Sequence, residues 1–299
     1  MKTTICIFPF DAFGGAGTSA GALLLGDALD EMLTDAHEET TAARSHGWRE
    51  SVEIHEESFP DIDSLGRWRT TADAILKEVL GRGEFPIWVS GNHLGVLPVY
   101  EALGGDTLIL QIDAHLDIQN WSDSETALSH GNFIRHSNGR AAIVNLGHRD
   151  LMATPKEVSR YFAAAHGAES VRFDRPAVMA SVAAAIAGAK RVWLDIDCDG
   201  LDPTCFPAVQ HPEPFGLDPS ILMELVRMIP AEKRAGVSIS EFDPGRDSSD
   251  RCVRLLVWFV EWLLTVRHPY EEPAGGTKGK RTRSSVPVPR PTRLPKGGE

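Results

Sequence analysis

Six short segments of this chain, TTICIF, FPIWVSG, TLILQID, AAIVNLG, RVWLDID and AGVSIS, are apolar nearly from end to end. A strand with one wet face alternates apolar with polar residues, so a strand that does not alternate must be covered on both faces. Between these runs lie SAGALLLGDALDEML, TADAILKEVLGRG, PAVMASVAAAIAG, PSILMELVRMI and DRCVRLLVWFVEWLLTV, with apolar residues at helical spacing. Strand and helix in repetition imply a parallel sheet between two helical layers. The fold expected is therefore α/β, a three-layer α/β/α sandwich around a central parallel sheet. In such sheets ligands bind beyond the carboxyl ends of the strands, which is where chemistry has to be sought.

A length of 299 residues admits one large α/β domain or two ordinary ones. The repetition runs to about residue 270 and is read as one domain, 1–270. Residues 271–299, dense in Gly, Pro, Ser and basic side chains with almost nothing to bury, are expected to form a disordered, solvated tail. With 42% hydrophobic and 24% charged residues the chain cannot be disordered throughout. No apolar run approaches the roughly 18 residues that a membrane span needs. The opening MKTTICIFPFDAFGG reads as a first strand rather than a leader, and a cytoplasmic location is expected. Cys6, Cys198, Cys205 and Cys252 contain no Cys-x-x-Cys pair, which argues against a zinc ribbon or a disulfide scaffold.

Net charge is −12, with +4 carried from Glu271 onward and −16 by the remainder. A body this acidic disfavours a nucleic-acid partner, whose phosphates call for a basic surface, and suits a cationic substrate.

Two aspartate runs carry the chemistry. LILQIDAHLDIQNW ends an apolar strand in Asp113, His115 and Asp117; RVWLDIDCDGLDP does the same with Asp195, Asp197 and Asp199. Alternate residues of an extended chain point the same way, so each run sends three potential ligands from one face of a strand's carboxyl end. Either run alone could simply cap a turn. Burying five carboxylates and a histidine at two strand tips is prohibitive without cations, and the pair of runs therefore selects a metal centre. Mixed carboxylate and imidazole donors suit Mn²⁺, Fe²⁺ or Zn²⁺ better than Ca²⁺ or Mg²⁺.

These motifs resemble those of the ureohydrolases, the arginase, agmatinase and formiminoglutamase group, and the resemblance spans nearly all of the globular part. FPFDAFGGAGTSAG is similar to their first strand and glycine-rich loop, and its glycine spacing fits no nucleotide fingerprint. WVSGNHLGVLPVYEAL is similar to their Gly-Gly-Asn/Asp-His segment, with Ser90 in place of the first glycine, and contributes His93. Asp113, His115 and Asp117 match an Asp-Ala-His-x-Asp motif, Ser129 to Gly131 the agmatinase-like Ser-His-Gly, and the GLDP anchor assigns Asp197 and Asp199 as ligands, leaving Asp195 as a structural neighbour. The resemblance implies two Mn²⁺ per chain, bridged by Asp113 and Asp197. His93 and Asp117 complete one shell, and His115 and Asp199 the other. It also implies hydroxide attack on a guanidinium carbon, giving urea and an amine. Asp117 would orient the nucleophile, Glu241 would pair with the guanidinium, and His130 would shuttle a proton to the leaving amine. A trimer or hexamer is the family's implied assembly.

The far end of the substrate fits that pattern less well. The family's Gly-Leu-Arg-Asp-x-Asp segment corresponds to Gly147–Met152, which places Met152 at the amino-binding aspartate. A thioether cannot pair with an ammonium. Gln119 replaces an asparagine, Thr126 and Leu128 replace polar carboxylate-binding residues, and His211 brings a bulky imidazole to a loop that is usually Gly-Thr-Gly-Thr-Pro. The expected substrate is a guanidino compound other than free arginine: agmatine, another guanidino compound, or arginine within a peptide. A zinc amide hydrolase of the deacetylase type is disfavoured by six apparent ligands and no His-His pair, and a catalytically silent metal-binding scaffold by the intact ligands, His130 and Glu241. His136 and His148, each beside an arginine, are read as surface groups in loops.

Overall fold

The structure is a computed structural model in which residues 2–13, 17–120 and 126–272 are described. Eight strands form one sheet: β1 (Thr3–Phe8), β2 (Val52–Glu56), β3 (Phe85–Ser90), β4 (Thr107–Ile112), β5 (Ala142–His148), β6 (Ala164–Gly167), β7 (Arg191–Asp197) and β8 (Arg234–Ser240). Their order is β2-β1-β3-β8-β7-β4-β5-β6, and every neighbouring pair is parallel.

Alternation of side chains across the sheet produces two cores. Ile5, Ile7, Leu108, Leu110, Leu194 and Ile196 belong to one, packed with residues of the helices Thr18–Glu38, Arg175–Gly188, Ser220–Met228 and Arg251–Arg267. Cys6, Phe8, Trp88, Ile109 and Trp193 belong to the other, with residues of Trp68–Gly81 and Leu97–Ala102. The three-layer α/β/α architecture follows directly from this two-sided burial. Three of the four cysteines are buried as small apolar groups, and Cys205 is exposed.

The six apolar runs correspond to β1, β3, β4, β5, β7 and β8. The two outermost strands, β2 and β6, carry no such signal. Their VEIHE and AAHG sequences are only partly covered, and an edge strand needs no continuous apolar run. No helix among the described residues is long and apolar enough to cross a membrane. The tail expected to be disordered lies, beyond Glu272, outside the described residues.

Candidate metal centre

The sheet's four middle strands, β3, β8, β7 and β4, deliver the polar groups. β3 ends at Ser90 and turns through Gly91 and Asn92 into the short turn His93–Val96. That turn is tight, because a β-carbon on Gly91 would sit 2.3 Å from the Phe10 carbonyl oxygen. The Ser90 hydroxyl donates to the Asn92 carbonyl at 2.9 Å, so the serine in place of glycine stabilises the turn from inside. His93 then projects into the interior with 1% of its surface exposed.

Its Nδ1 faces three carboxylates, Asp117 Oδ2 at 2.9 Å, Asp197 Oδ2 at 3.2 Å and Asp113 Oδ2 at 3.3 Å. The other oxygen of Asp113 lies 3.8 Å from His115 Nδ1, which in turn is 3.0 Å from Asp199 Oδ2. Two groups thus emerge, His93–Asp113–Asp117 and Asp113–His115–Asp199, with the ligand atoms of each within 4.8 Å of one another. They share Asp113. Asp197 stands between the two groups: its Oδ2 faces His93 at 3.2 Å, and its Oδ1 accepts the Asp199 N–H at 2.9 Å.

The backbone fixes these carboxylates. Asp199 Oδ1 accepts from Ala114 N–H at 3.1 Å, tying the end of β7 to that of β4, and Asp113 Oδ1 accepts from His115 N–H at 2.6 Å. A β-carbon on Gly200 would lie 2.7 Å from the Asp113 nitrogen, so only glycine lets the two tips approach this closely. Arg149 donates to the carbonyls of Asp199 (2.6 Å), Gly147 (2.9 Å), Gly200 (3.0 Å) and Glu213 (3.1 Å), clamping the same turn. Sequence reasoning assigned Arg149 no role. An arginine that binds only backbone carbonyls leaves no pattern in its partners' side chains.

The residues fit a divalent metal. His93 Nδ1 and Asp113 Oδ2 are buried without a hydrogen-bond partner, and such groups are costly unless something answers them. With only protein groups available, protons take the place of cations. Burial works to lower the His93 pKa, but Asp195, Asp113 and Asp117 hold it well above the ordinary histidine range. His115 is pushed up to about 11, its burial overcome by Asp199. Burial, with the charge of Asp117, pushes Asp113 up to about 8. Each shift reports the same deficit of positive charge.

Glu241 follows β8 and adopts the left-handed backbone region, at φ 63°; Asp117 does so at φ 50°. Among the described non-glycine residues only Phe13, Phe215 and Asp250 share that conformation, so two of five such strained positions fall in this site. Glu241 Oε1 accepts the His93 N–H at 2.7 Å and lies 3.6 Å from His130 Nδ1. That contact with Glu241, against the opposing effect of burial, raises the His130 pKa. His130 is itself held by its N–H, which donates to Phe13 O at 3.2 Å. His130, His211 and Glu241 line one pocket with His93, His115, Asp117 and Asp199.

A neighbouring cavity of about 200 Å³ is lined by Gln119, Met152, Leu151, Arg149 and Glu213 and meets the first at His115 and Asp117. Met152 is 69% exposed and Leu151 96%, which puts an apolar pair at the mouth of the site. Thr126 is exposed, and Leu128 packs against the second core. Gly14 and Gly15 of the glycine-rich loop lie outside the described residues. His136 is exposed as expected, but it closes the short helix Phe133–His136 rather than lying in a loop. His148 differs from expectation: it is the last residue of β5 and half-buried, and that burial lowers its pKa.

Asp195 holds more than the place of a neighbour. It is fully buried, and its Oδ2 lies 2.9 Å from His93 Nε2. A carboxylate embedded in an apolar strand, two residues before the ligand-bearing tip, was the available sign that it needed a partner.

A parallel sheet covered on both faces, with a carboxylate–imidazole centre at its carboxyl edge, defines a class of α/β proteins built around a metal site. Within that class the assignment is specific. The Arginase family model matches residues 2–265, and the chain belongs to the arginase family. It is 30% identical over 171 residues to mitochondrial arginase 1 of Arabidopsis thaliana, a match covering 55% of this chain and 49% of that protein, and so about half the relative's length. It is 27% identical over 199 residues to guanidinopropionase of Pseudomonas aeruginosa, covering 62% of this chain and 60% of the relative. Arginase from Bacillus subtilis shares the fold, with a TM-score of 0.72 at 19% identity over 88% of this chain and 98% of that one.

Proposed function

We propose that this chain is a binuclear ureohydrolase that cleaves a guanidino group to urea and an amine. One observation carries the reading: the two oxygens of Asp113 face two different imidazoles, His93 at 3.3 Å and His115 at 3.8 Å. A carboxylate so placed could serve both imidazole groups. His93, Asp113, Asp117 and Asp197 would hold one ion, and Asp113, His115, Asp199 and Asp197 the other, with Mn²⁺ suited to this donor set. Bound there, such ions supply Lewis acidity, bringing water's ionisation close to neutral pH.

The remaining steps belong to the chain's own groups. Asp117 orients the nucleophile from its constrained backbone. Glu241, fixed through its bond from the His93 N–H, pairs with the planar guanidinium by charge-assisted hydrogen bonds. His130, at the pocket's edge with 31% of its side chain exposed, can exchange protons with solvent and deliver one to the leaving amine.

The second cavity supports a reading of the substrate class. Met152 offers nothing to an α-ammonium, and Gln119 and His211 line the approach, so the preferred guanidine lacks free amino-acid termini, as in agmatine or an arginine inside a peptide. The relatives' names, arginase and guanidinopropionase, span more than one guanidino substrate. The test is urea release from arginine, agmatine, guanidinobutyrate and arginine-containing peptides after manganese loading. No urea from any of them, with metal bound, would leave a silent metal-binding scaffold instead.

A further inference from the structure

We infer that Asp195 is a positioning residue for the metal on the His93 side: it fixes the imidazole with Nε2–H donated inward, so that the Nδ1 lone pair faces Asp113, Asp117 and Asp197. The inference rests on reading the site as a metal centre.

The acceptor capacity of Asp195 is committed to donors. Its Oδ2 accepts from the Tyr100 hydroxyl at 2.7 Å and faces His93 Nε2 at 2.9 Å. Its Oδ1 accepts from the Ser238 hydroxyl at 2.5 Å, and Ser238 Oγ accepts from Trp193 Nε1–H at 2.9 Å. Tyr100 comes from the helix that follows His93, and Ser238 from the register position opposite Asp195 on β8. Asp195, Ser238, Trp193 and Tyr100 are each at most 1% exposed. This is a closed network fixing one carboxylate from three elements.

A neutral imidazole carries one N–H. With a cation among Asp113, Asp117 and Asp197 the ring would be neutral: its proton on Nε2 donates to Asp195, and the Nδ1 lone pair, which would otherwise repel three carboxylates at 2.9 to 3.3 Å, faces the cation. Placed on Nδ1, the proton would set the Nε2 lone pair against the lone pairs of Asp195. The network therefore selects the tautomer and ring orientation a metal ligand needs. A charged acceptor also makes the ring a stronger donor to a cation than a neutral one would. Asp195 does not become a ligand itself, because it lies two residues, roughly 7 Å along the strand, behind Asp197.

The experiment compares wild type, Asp195→Asn and Tyr100→Phe by Mn²⁺ titration and by imidazole nitrogen spectroscopy of the Zn²⁺-loaded protein. In wild type the His93 ring should be protonated at Nε2 only. Asp195→Asn should weaken one of two metals by about tenfold to a hundredfold, the range for lost outer-shell partners, and leave the second within a few-fold. Tyr100→Phe should weaken the same metal by less. Protonation at Nδ1, or unchanged affinities in a folded Asp195→Asn, overturns the inference. Equal weakening of both metals reduces Asp195 to a structural role and overturns it as well. If Asp195→Asn does not fold, Tyr100→Phe decides by the same criterion. Wild type that takes up no metal at all would overturn the metal-centre reading itself, a separate result from two tightly held ions indifferent to Asp195.

Discussion

His211 stands over His130, with ring centroids 6.4 Å apart and planes 28° from parallel. The exposed ring of His211 thus stands beside the group assigned to proton transfer, in the pocket that Glu241 and the candidate metal ligands also line. His211→Thr should shift KM by up to roughly tenfold, one step of 1.4 kcal/mol, and leave metal content at wild-type level. His130→Ala should slow turnover by roughly 10²-fold to 10⁴-fold with metal retained. Steady-state urea assays beside elemental analysis separate the two; metal lost from His211→Thr would put that residue in the metal shell.

Glu241 has two separable duties. Glu241→Ala removes the acceptor of a buried His93 N–H, which costs about 1 to 3 kcal/mol, and should lower thermal stability as well as guanidinium binding. Glu241→Gln keeps an acceptor and loses the charge. It should melt near wild type and still bind guanidine poorly. Equal melting temperatures for the alanine and wild-type proteins would remove the anchoring role.

Asp113→Ala should empty both metal positions, whereas His93→Ala should mainly empty one. Inductively coupled plasma analysis after manganese loading reads this directly. A fully active wild type with a single ion would exclude the binuclear centre.

Chelator-treated protein should become less stable as pH rises from about 6.5 to 8. His115, raised from 6.5 to about 11, keeps a proton in the folded state that the unfolded chain releases across this window, and Asp113, raised from 3.8 to about 8, keeps one that the unfolded chain has already released below it. The folded state binds more protons there, so stability falls with rising pH. Metal binding displaces those protons, and affinity should climb over the same range. Thermal scans with and without manganese test both signs; a chelated protein stabilised by the rise would contradict them.

Met152→Asp should narrow the preference for agmatine or peptidyl arginine over free arginine. With Met152 69% exposed, an ammonium beside it stays largely solvated, and the ion pair an aspartate would add there is worth about 0 to 1 kcal/mol. That is at most roughly fivefold in kcat/KM. A wild type that hydrolyses free arginine best, with Met152→Asp unchanged, would refute this view of the second cavity.

The central strands were readable because burial on both faces forces continuous apolar runs, and the candidate ligands because period-two spacing at strand ends gathers side chains. The partly covered edges Val52–Glu56 and Ala164–Gly167 experience neither constraint and left no trace. The left-handed backbone at Asp117 and Glu241 was equally invisible, since neither residue is a glycine. Asp195 and His93 meet across 102 positions, and Tyr100 joins them from a helix that reads as plain core. Contacts of that kind are created by strand order, which local pattern does not encode.

Strand order also sets when the centre can exist. β3 and β4 deliver His93, Asp113, His115 and Asp117, and are consecutive in the chain, yet β8 and β7 lie between them in the sheet. A nascent chain that has reached Asp117 holds four of the six candidate ligands, on strands that are not neighbours in the finished sheet. Only when β8, the last strand among the described residues, slots between β3 and β7 do the halves close around a common point. A centre of this geometry therefore needs the whole sheet, and a polypeptide ending before β8 would lack the strand that joins its two halves.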